Sequence, residues 1–263
     1  MSGVAERSGA KHPWKGQWAV VTGASSGIGR AIAHQLAEEG VNLVLTSRRN
    51  SVHTFAPVEI QSISLDLESA DAPRQLFEFT ESKSIQPVLL VNNAGFGVYG
   101  EFRKMDLARQ LALVQVNCAA VVALTSLYLP GMIERGKGDV LIVSSTAAFQ
   151  GVPYQSTYAA SKAFDLIFAE GIAEEVERFG VRVCALCPGQ TKSEFHEIAN
   201  EPIPKGMSIH SAEEVARIGL DALRAGKHSV ICGFSNRMGM ELQRLAPRRL
   251  VTKISERMFR PGS

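Results

Sequence analysis

Trp18-Ala-Val-Val-Thr-Gly-Ala-Ser-Ser-Gly-Ile-Gly29 decides how this chain folds. Residues 18–22 are a short apolar run with β-branched side chains, the pattern of a buried strand. Gly23 to Gly29 follow at once, and a helical stretch then runs to about Glu39 and stops at Gly40, a residue suited to ending a helix. Glycines let a backbone approach a pyrophosphate closely, and a helix N-terminus offers it free N–H groups and the positive end of a dipole. A glycine turn alone carries little information. Framed by a strand and a helix, it predicts a dinucleotide cradle made of Gly23, Ser25, Ser26, Gly27, Ile28 and Gly29.

Moving outward, Val41–Thr46 reads as the next strand and ends in Ser47, Arg48 and Arg49. A carboxylate there would accept hydrogen bonds from a ribose 2′-hydroxyl. Two cations and a hydroxyl suit a 2′-phosphate instead, so NADP(H) is expected rather than NAD(H). Residues 50–59 lack helical periodicity and contain Pro57, so the crossover to the strand Ile60–Leu65 is expected to have little or no helix. That strand ends in Asp66 and Leu67, and a helix follows over Asp71–Ser82. Pro87–Val91 is a strand followed by Asn92, Asn93, Ala94 and Gly95, small and amide-bearing residues able to border a cofactor. Asp106–Arg135 reads as a long helix interrupted at Pro130-Gly131. It carries Asn117 among apolar neighbours, where a buried amide needs partners.

The second half continues the alternation. Strand Asp139–Val143 ends in Ser144-Ser145, a loop covers Thr146–Gln155, and a helix runs to about Phe179. Strand Val181–Leu186 leads into Cys187, Pro188, Gly189, Gln190 and Thr191. Residues 192–210, with Pro202, Pro204 and Gly206, are irregular and placed to act as a lid. Ser211 and Glu214 form a capping box for a helix to about Arg224, and Ser229–Cys232 is a last strand.

Seven strands alternating with helices, without a break in composition, predict one α/β domain over residues 16–235. It is a doubly wound, Rossmann-type parallel sheet with helices on both faces. Residues 1–15 read as a flexible polar leader. In 236–263, cations at 237, 244, 248, 249, 253, 257 and 260 accompany apolar residues at helical spacing, predicting two short amphipathic helices broken near Pro247. Such a tail packs on the domain, covers the substrate site, or lies on an anionic membrane surface.

Composition narrows the function. Hydrophobic content of 45% supports a globular core, and a net charge of +2 gives no reason to expect nucleic-acid binding. The four cysteines are scattered in apolar surroundings, as in a reducing cytoplasm. Cys184 and Cys187 lie inside a strand pattern and read as core rather than as a zinc or redox pair, so no metal site is expected. No apolar run is expected to span a membrane.

Tyr158 and Lys162, four apart on a helix, share one face. A phenol holds its proton to about pH 10, and a nearby ammonium lowers that value, giving an acid/base group useful near neutrality.

Taken together, Thr22–Gly29, Asn92–Gly95, Ser145 thirteen positions before Tyr158, and the Tyr158-x-x-x-Lys162 spacing resemble the short-chain dehydrogenase/reductase family over about residues 16–235. The arginine-rich tail is similar to that of a bacterial branch of its reductases. The resemblance implies an NADP(H)-dependent oxidoreductase interconverting a small hydrophobic carbonyl compound and an alcohol. In it Tyr158 donates the proton, Lys162 lowers its pKa and binds the ribose hydroxyls, Ser145 holds the carbonyl, and Asn117 holds a water that relays protons to Lys162. Asp66 and Leu67 would flank the adenine, Asn92 to Gly95 its ribose, and Pro188, Gly189 and Thr191 the nicotinamide end. Three features depart from the family pattern: the short stretch after Arg49, Thr191 in place of an apolar residue, and Ser193 in place of threonine. The aromatic residues Phe96, Tyr99, Phe102, Phe149, Tyr154 and Phe195 are the expected apolar pocket lining. A homo-dimer or homo-tetramer is implied, with Gly171 permitting close helix approach. The competing reading is a catalytically idle NADP-binding regulatory protein.

Overall fold

Seven parallel strands stand side by side in the computed structural model, which describes residues 12–49, 57–192 and 209–260. They are β1 (Trp18–Thr22), β2 (Asn42–Ser47), β3 (Ile60–Ser64), β4 (Pro87–Asn92), β5 (Gly138–Val143), β6 (Val181–Cys187) and β9 (Ser229–Ile231). Their spatial order is β3-β2-β1-β4-β5-β6-β9, so the strand order reverses between β1 and β4, the crevice where doubly wound folds bind ligands. β4 and β5 are buried along their whole length, which explains runs such as Val88-Leu-Leu-Val91 without alternation. The fold class expected from sequence is the one observed.

Helices cover both faces. α1 (Gly27–Glu38) and α6 (Ala212–Arg224) pack on one face, where Ile32, Leu36, Val215 and Leu220 meet Val21, Leu43 and Leu186. α2 (Ala72–Ser82), α4 (Ala120–Glu134) and α5 (Ser156–Val176) cover the other, with Leu76, Leu124, Tyr128, Met132 and Ala169 against Val20, Leu90 and Ile142. A small parallel pair, β7 (Thr191–Lys192) and β8 (His210–Ser211), had no sequence signal; it ties the two ends of the expected lid together. Residues 193–208 of that lid, including Ser193 and Phe195, lie outside the described residues, as do residues 1–11 and the expected helix-poor stretch 50–56.

Three expectations need correction. The flexible leader does not extend to residue 15, because Trp14 is fully buried in the core beneath α1 and α6. The long helix is not interrupted at Pro130, which sits inside α4. The irregularity lies upstream, where α3 (Leu107–Val114) joins α4 through a π-helical turn at Gln115–Ala119. Such one-residue expansions recur at functional sites. Finally, the helical run Leu107–Glu134 is long and apolar enough by composition to cross a membrane, contrary to expectation. Here Val121, Leu124, Tyr128 and Met132 bury its inner face against the sheet, as in a core helix.

The basic tail forms α7 (Phe234–Gln243) and α8 (Arg248–Phe259), separated at Pro247. Tyr99 donates to the Phe259 carbonyl (2.8 Å) and Tyr154 to Glu256 Oε1 (3.0 Å), fastening α8 over the carboxyl edge of the sheet.

Candidate active site

A cavity of about 1040 Å³ opens at that edge. Its floor is the turn after β1. Gly23 and Gly27 adopt φ of 64° and 54°, a left-handed backbone that favours glycine. A Cβ on Gly23 would come 2.8 Å from Asn93 Nδ2, and one on Gly29 would collide with the same amide. Ser26 caps α1 without a side-chain hydrogen bond, and the first turn holds no acidic residue, so the helix N-terminus keeps its backbone donors for an anion. The buried Thr46 hydroxyl, also on the cavity wall, has no partner among the described residues. This cradle fits the diphosphate of a dinucleotide.

The motif after β4 is divided between the cavity and the frame that holds the turn. Thr22 Oγ1 accepts from the backbone N–H groups of Asn93 (2.9 Å) and Ala94 (3.0 Å), and Asn93 Nδ2 donates to the carbonyls of Thr22 (2.8 Å) and Gly23 (3.2 Å). The Asn93 amide thus braces the phosphate turn, while Asn93, Ala94 and Gly95 line the cavity. Asn92 does not reach it: its side chain is buried on the far side of β4 and donates to Thr125 (3.1 Å). Gly29 and Asn117 are also absent from the lining.

Ser25, Ser26, Gly27, Ile28, Ser47, Arg48, Arg49, Asp66 and Leu67 surround the end near β2. Arg49 Nη2 lies 3.3 Å from Ser26 Oγ and 3.5 Å from Ser25 Oγ, which brings a guanidinium onto the glycine turn. Arg48 is drawn instead to Glu68 (3.4 Å), which also pairs with Arg109 (3.3 Å). Glu68 is a carboxylate on the cavity wall that sequence reading passed over. Asp66 spends one oxygen on the Glu68 backbone N–H (3.0 Å), shaping the bend after β3.

At the other end, Ser145, Tyr158, Lys162, Pro188, Gly189 and Thr191 meet around the same cavity. β5 delivers Ser145, α5 delivers Tyr158 and Lys162, and the turn after β6 delivers the last three. Ser145 Oγ accepts from Ala147 N (3.1 Å) and starts a 3-10 turn. Lys162 is buried, and its Nζ donates to the Val143 carbonyl (2.8 Å) and to Asp165 Oδ2 (2.9 Å). Burial by itself disfavours the ammonium, but Asp165 and then Tyr158 reverse this and hold Lys162 above its ordinary value. Thr191 turns its hydroxyl back to the Gly189 carbonyl (3.1 Å).

The Asn117 side chain is fully committed to protein groups. Oδ1 accepts from Phe96 N (3.1 Å), and Nδ2 reaches Phe96 O and Ser161 Oγ, both at 3.0 Å. It fixes the Gly95-Phe96 backbone and α5 beside Lys162.

Among the described residues, most of the aromatic set read from sequence lies away from the cavity wall. Among its described members only Phe96 lines the cavity; Tyr99 and Tyr154 clamp α8, Phe149 packs in the core, and Phe102 is exposed. The tail supplies the roof of the cavity, with Met240, Leu242, Ala246, Val251, Ile254 and Met258, while Phe96, Val116 and Val152 add apolar wall from the domain. Amphipathic periodicity in 236–263 was the available signal, but it does not say what a helix covers.

The short chain dehydrogenase family model matches residues 17–203, a stretch that contains the cradle, Ser145, Tyr158 and Lys162. The chain belongs to the short-chain dehydrogenase family. It is therefore an oxidoreductase of the kind that acts on CH–OH or C=O groups. It is 34% identical over 209 residues to an uncharacterized oxidoreductase of Myxococcus xanthus, covering 77% of this chain and 83% of that one. It is 36% identical over 188 residues to a very-long-chain 3-oxoacyl-CoA reductase of Bos taurus, covering 67% of this chain and 60% of that enzyme. A short-chain dehydrogenase from Sphingobium yanoikuyae, solved in complex with NADPH, shares the fold with a TM-score of 0.78 at 24% identity, over 90% of this chain and 95% of that one.

Proposed function

We propose that this short-chain dehydrogenase is an NADP(H)-dependent reductase of an apolar ketone or aldehyde, with Tyr158 as the general acid. The observation that carries this reading is the placement of Tyr158 and Lys162 between a glycine cradle and an apolar roof in one cavity. A bound nicotinamide cofactor supplies the hydride. Tyr158 delivers the proton to the carbonyl oxygen, Ser145 donates a hydrogen bond to that oxygen as charge develops on it, and Lys162 stabilises the phenolate that remains. Arg49, and more weakly Arg48, meet the 2′-phosphate. The cavity volume and its Met, Leu, Ile and Val roof favour an extended apolar substrate over a sugar.

The test is NADPH-dependent turnover on a panel of ketoacyl, steroid, aromatic and sugar carbonyls. Turnover is expected on apolar members and is expected to fall about 10³-fold in Tyr158→Phe. Activity unchanged by that substitution overturns the mechanism. Tight NADPH binding with no turnover on any carbonyl favours the idle binding protein.

Two surfaces complete the reading. On α7 and α8, Phe234, Met238, Leu245 and Leu250 are exposed and lie outside the cavity lining, beside Arg237, Arg248, Arg249 and Lys253, which form no ion pair among the described residues. A cationic face with an apolar stripe at the cavity mouth suits the surface of an anionic bilayer on the cytoplasmic side. Flotation with anionic vesicles, abolished by Leu245→Asp, supports this; equal flotation of that variant removes it. On α5, exposed Phe164 and Ile167 precede Gly171, which faces open space, and exposed Leu107, Leu111 and Val122 lie on α3 and α4. These faces suit self-association, and sedimentation of Ile167→Glu as a smaller species than wild type supports it.

A further inference from the structure

Asp165 lies one helical turn beyond Lys162. Its side chain is 1% exposed, and Oδ2 accepts from Lys162 Nζ at 2.9 Å. Its Oδ1 is buried with no hydrogen-bond partner among the described residues. A carboxylate is rarely left in that setting without a charged neighbour to hold it. Lys162 in turn donates to the Val143 carbonyl at 2.8 Å. Two of the three ammonium hydrogens are thus taken by the protein, leaving one for the cavity.

The charge balance matters more than the hydrogen count. A lone ammonium beside a phenol favours the phenolate, and a carboxylate beside that ammonium cancels much of its field. The titratable groups facing the pair are Tyr158 on the same helix and Cys118 on the π-helical turn of the neighbouring one. Burial pushes the Cys118 thiol up to about 11, so it contributes no charge near neutrality. Ser144 Oγ, just past the end of β5, donates to the Lys162 carbonyl (2.7 Å) and is neutral. Burial raises the Asp165 carboxyl above its ordinary value, and the Lys162 ammonium offsets part of that rise. As a carboxylate, Asp165 gives Tyr158 an ion pair to face where Lys162 alone would present a full positive charge.

We propose that Asp165 is a positioning residue that sets the pH at which Tyr158 gives up its proton: paired with Lys162, it keeps the phenol protonated to higher pH and so widens the range over which the site can reduce a carbonyl. This rests on the reading of Tyr158 as the proton donor. The step itself is unchanged: hydride goes to the carbonyl carbon, and the phenolic proton goes to its oxygen. Only the population of the donor form at a given pH is altered.

Asp165→Asn tests this by keeping the shape and a hydrogen-bond acceptor while removing the charge. The phenolate of Tyr158 is titrated by its near-ultraviolet absorbance, as the difference between each protein and the same protein carrying Tyr158→Phe. This needs neither substrate nor turnover, so it stands if no carbonyl on the panel is reduced. The expected midpoint is lower in Asp165→Asn by about one pH unit, the size of shift that follows from changing one nearby charge. The alkaline fall in kcat/KM for reduction is expected to move by the same amount. If Asp165→Asn does not fold, Asp165→Leu carries the same comparison. An unmoved phenolate midpoint together with a lowered Tm overturns the proposal and leaves a purely structural pair, and so does a midpoint that rises.

Discussion

The indole Nε1 of Trp14 donates a 2.7 Å hydrogen bond to Oδ2 of Asp139, 125 residues further along the chain. Arg182 completes the partnership by binding both oxygens of Asp139 (2.6 and 2.9 Å), and the Arg224 guanidinium lies 4.6 Å from the Trp14 ring. The start of the described chain is thereby locked to β5, β6 and α6. Trp14→Ala is expected to cost about 3–5 kcal/mol, and Trp14→Phe, which keeps the ring contacts and removes one of the two hydrogen bonds to Asp139 Oδ2, about 1–2 kcal/mol. Urea unfolding followed by far-ultraviolet circular dichroism checks both.

Asn117→Ala removes the partner of both backbone groups of Phe96. Leaving two buried polar groups unpaired costs about 2–4 kcal/mol. Because Phe96 lines the cavity, the KM of the carbonyl is expected to rise along with the loss of stability. Parallel unfolding curves and steady-state kinetics on the variant check the pairing of the two effects.

The two arginines after β2 are predicted to be unequal. Arg49 rests against the glycine turn, whereas Arg48 is partly engaged by Glu68. Arg49→Ala should lower kcat/KM for NADPH roughly 10–100-fold, the worth of a hydrogen-bonded charge, and leave that for NADH unchanged. Arg48→Ala should show a smaller loss. Kinetics with the two cofactors measured side by side decide it.

Burial pushes the Cys184, Cys187 and Cys232 thiols up to about 12 and Cys118 up to about 11. At pH 8 the thiolate fraction of the first three is then about one in ten thousand, and the thiolate is the reactive form. A thiol-reactive disulfide reagent should label almost none of the four cysteines in native protein and all four in denaturant. The sign of the linkage follows. The folded state keeps these protons over a pH range in which the unfolded chain has lost them, so stability falls as pH rises from about 9 toward 12. A Tm series over that range should slope downward.

The roof offers a further check. Ile254→Glu places a charge over the cavity mouth. It is expected to raise KM for a long apolar carbonyl at least about tenfold while barely altering that of a short one, since burying an unpaired carboxylate against an apolar chain is costly. A homologous series of ketones of increasing chain length reads the difference.

What the sequence disclosed and what it withheld follow a physical line. The sheet was legible because unbroken apolar runs such as Pro87–Val91 have few conformations open to them, and the cradle because Gly23 and Gly27 answer to backbone geometry alone. Tyr158, Lys162 and Ser145 were legible through fixed spacing along one helix and at one strand end. Trp14 was not, since a single aromatic residue in a polar stretch has no periodicity; its burial is decided by Asp139 and Arg224, far away in sequence. Asp165 carried a faint signal, an acid between Phe164 and Leu166, three positions from Lys162. The direction in which the tail helices fold back was invisible, because an amphipathic pattern names a face without naming its partner. The kink was misplaced for a related reason: Pro130 is a local warning, whereas the turn at 115–119 answers to Asn117 and its contacts with Phe96 and Ser161.

The roof made by α7 and α8 is contiguous in sequence and touches the cradle at few points. With the roof meeting the substrate as proposed, exchanging Phe234 to Phe259 as one piece is expected to alter the substrate while leaving the residues of the glycine cradle in place. Selectivity is then expected to travel with this segment when it is grafted between relatives.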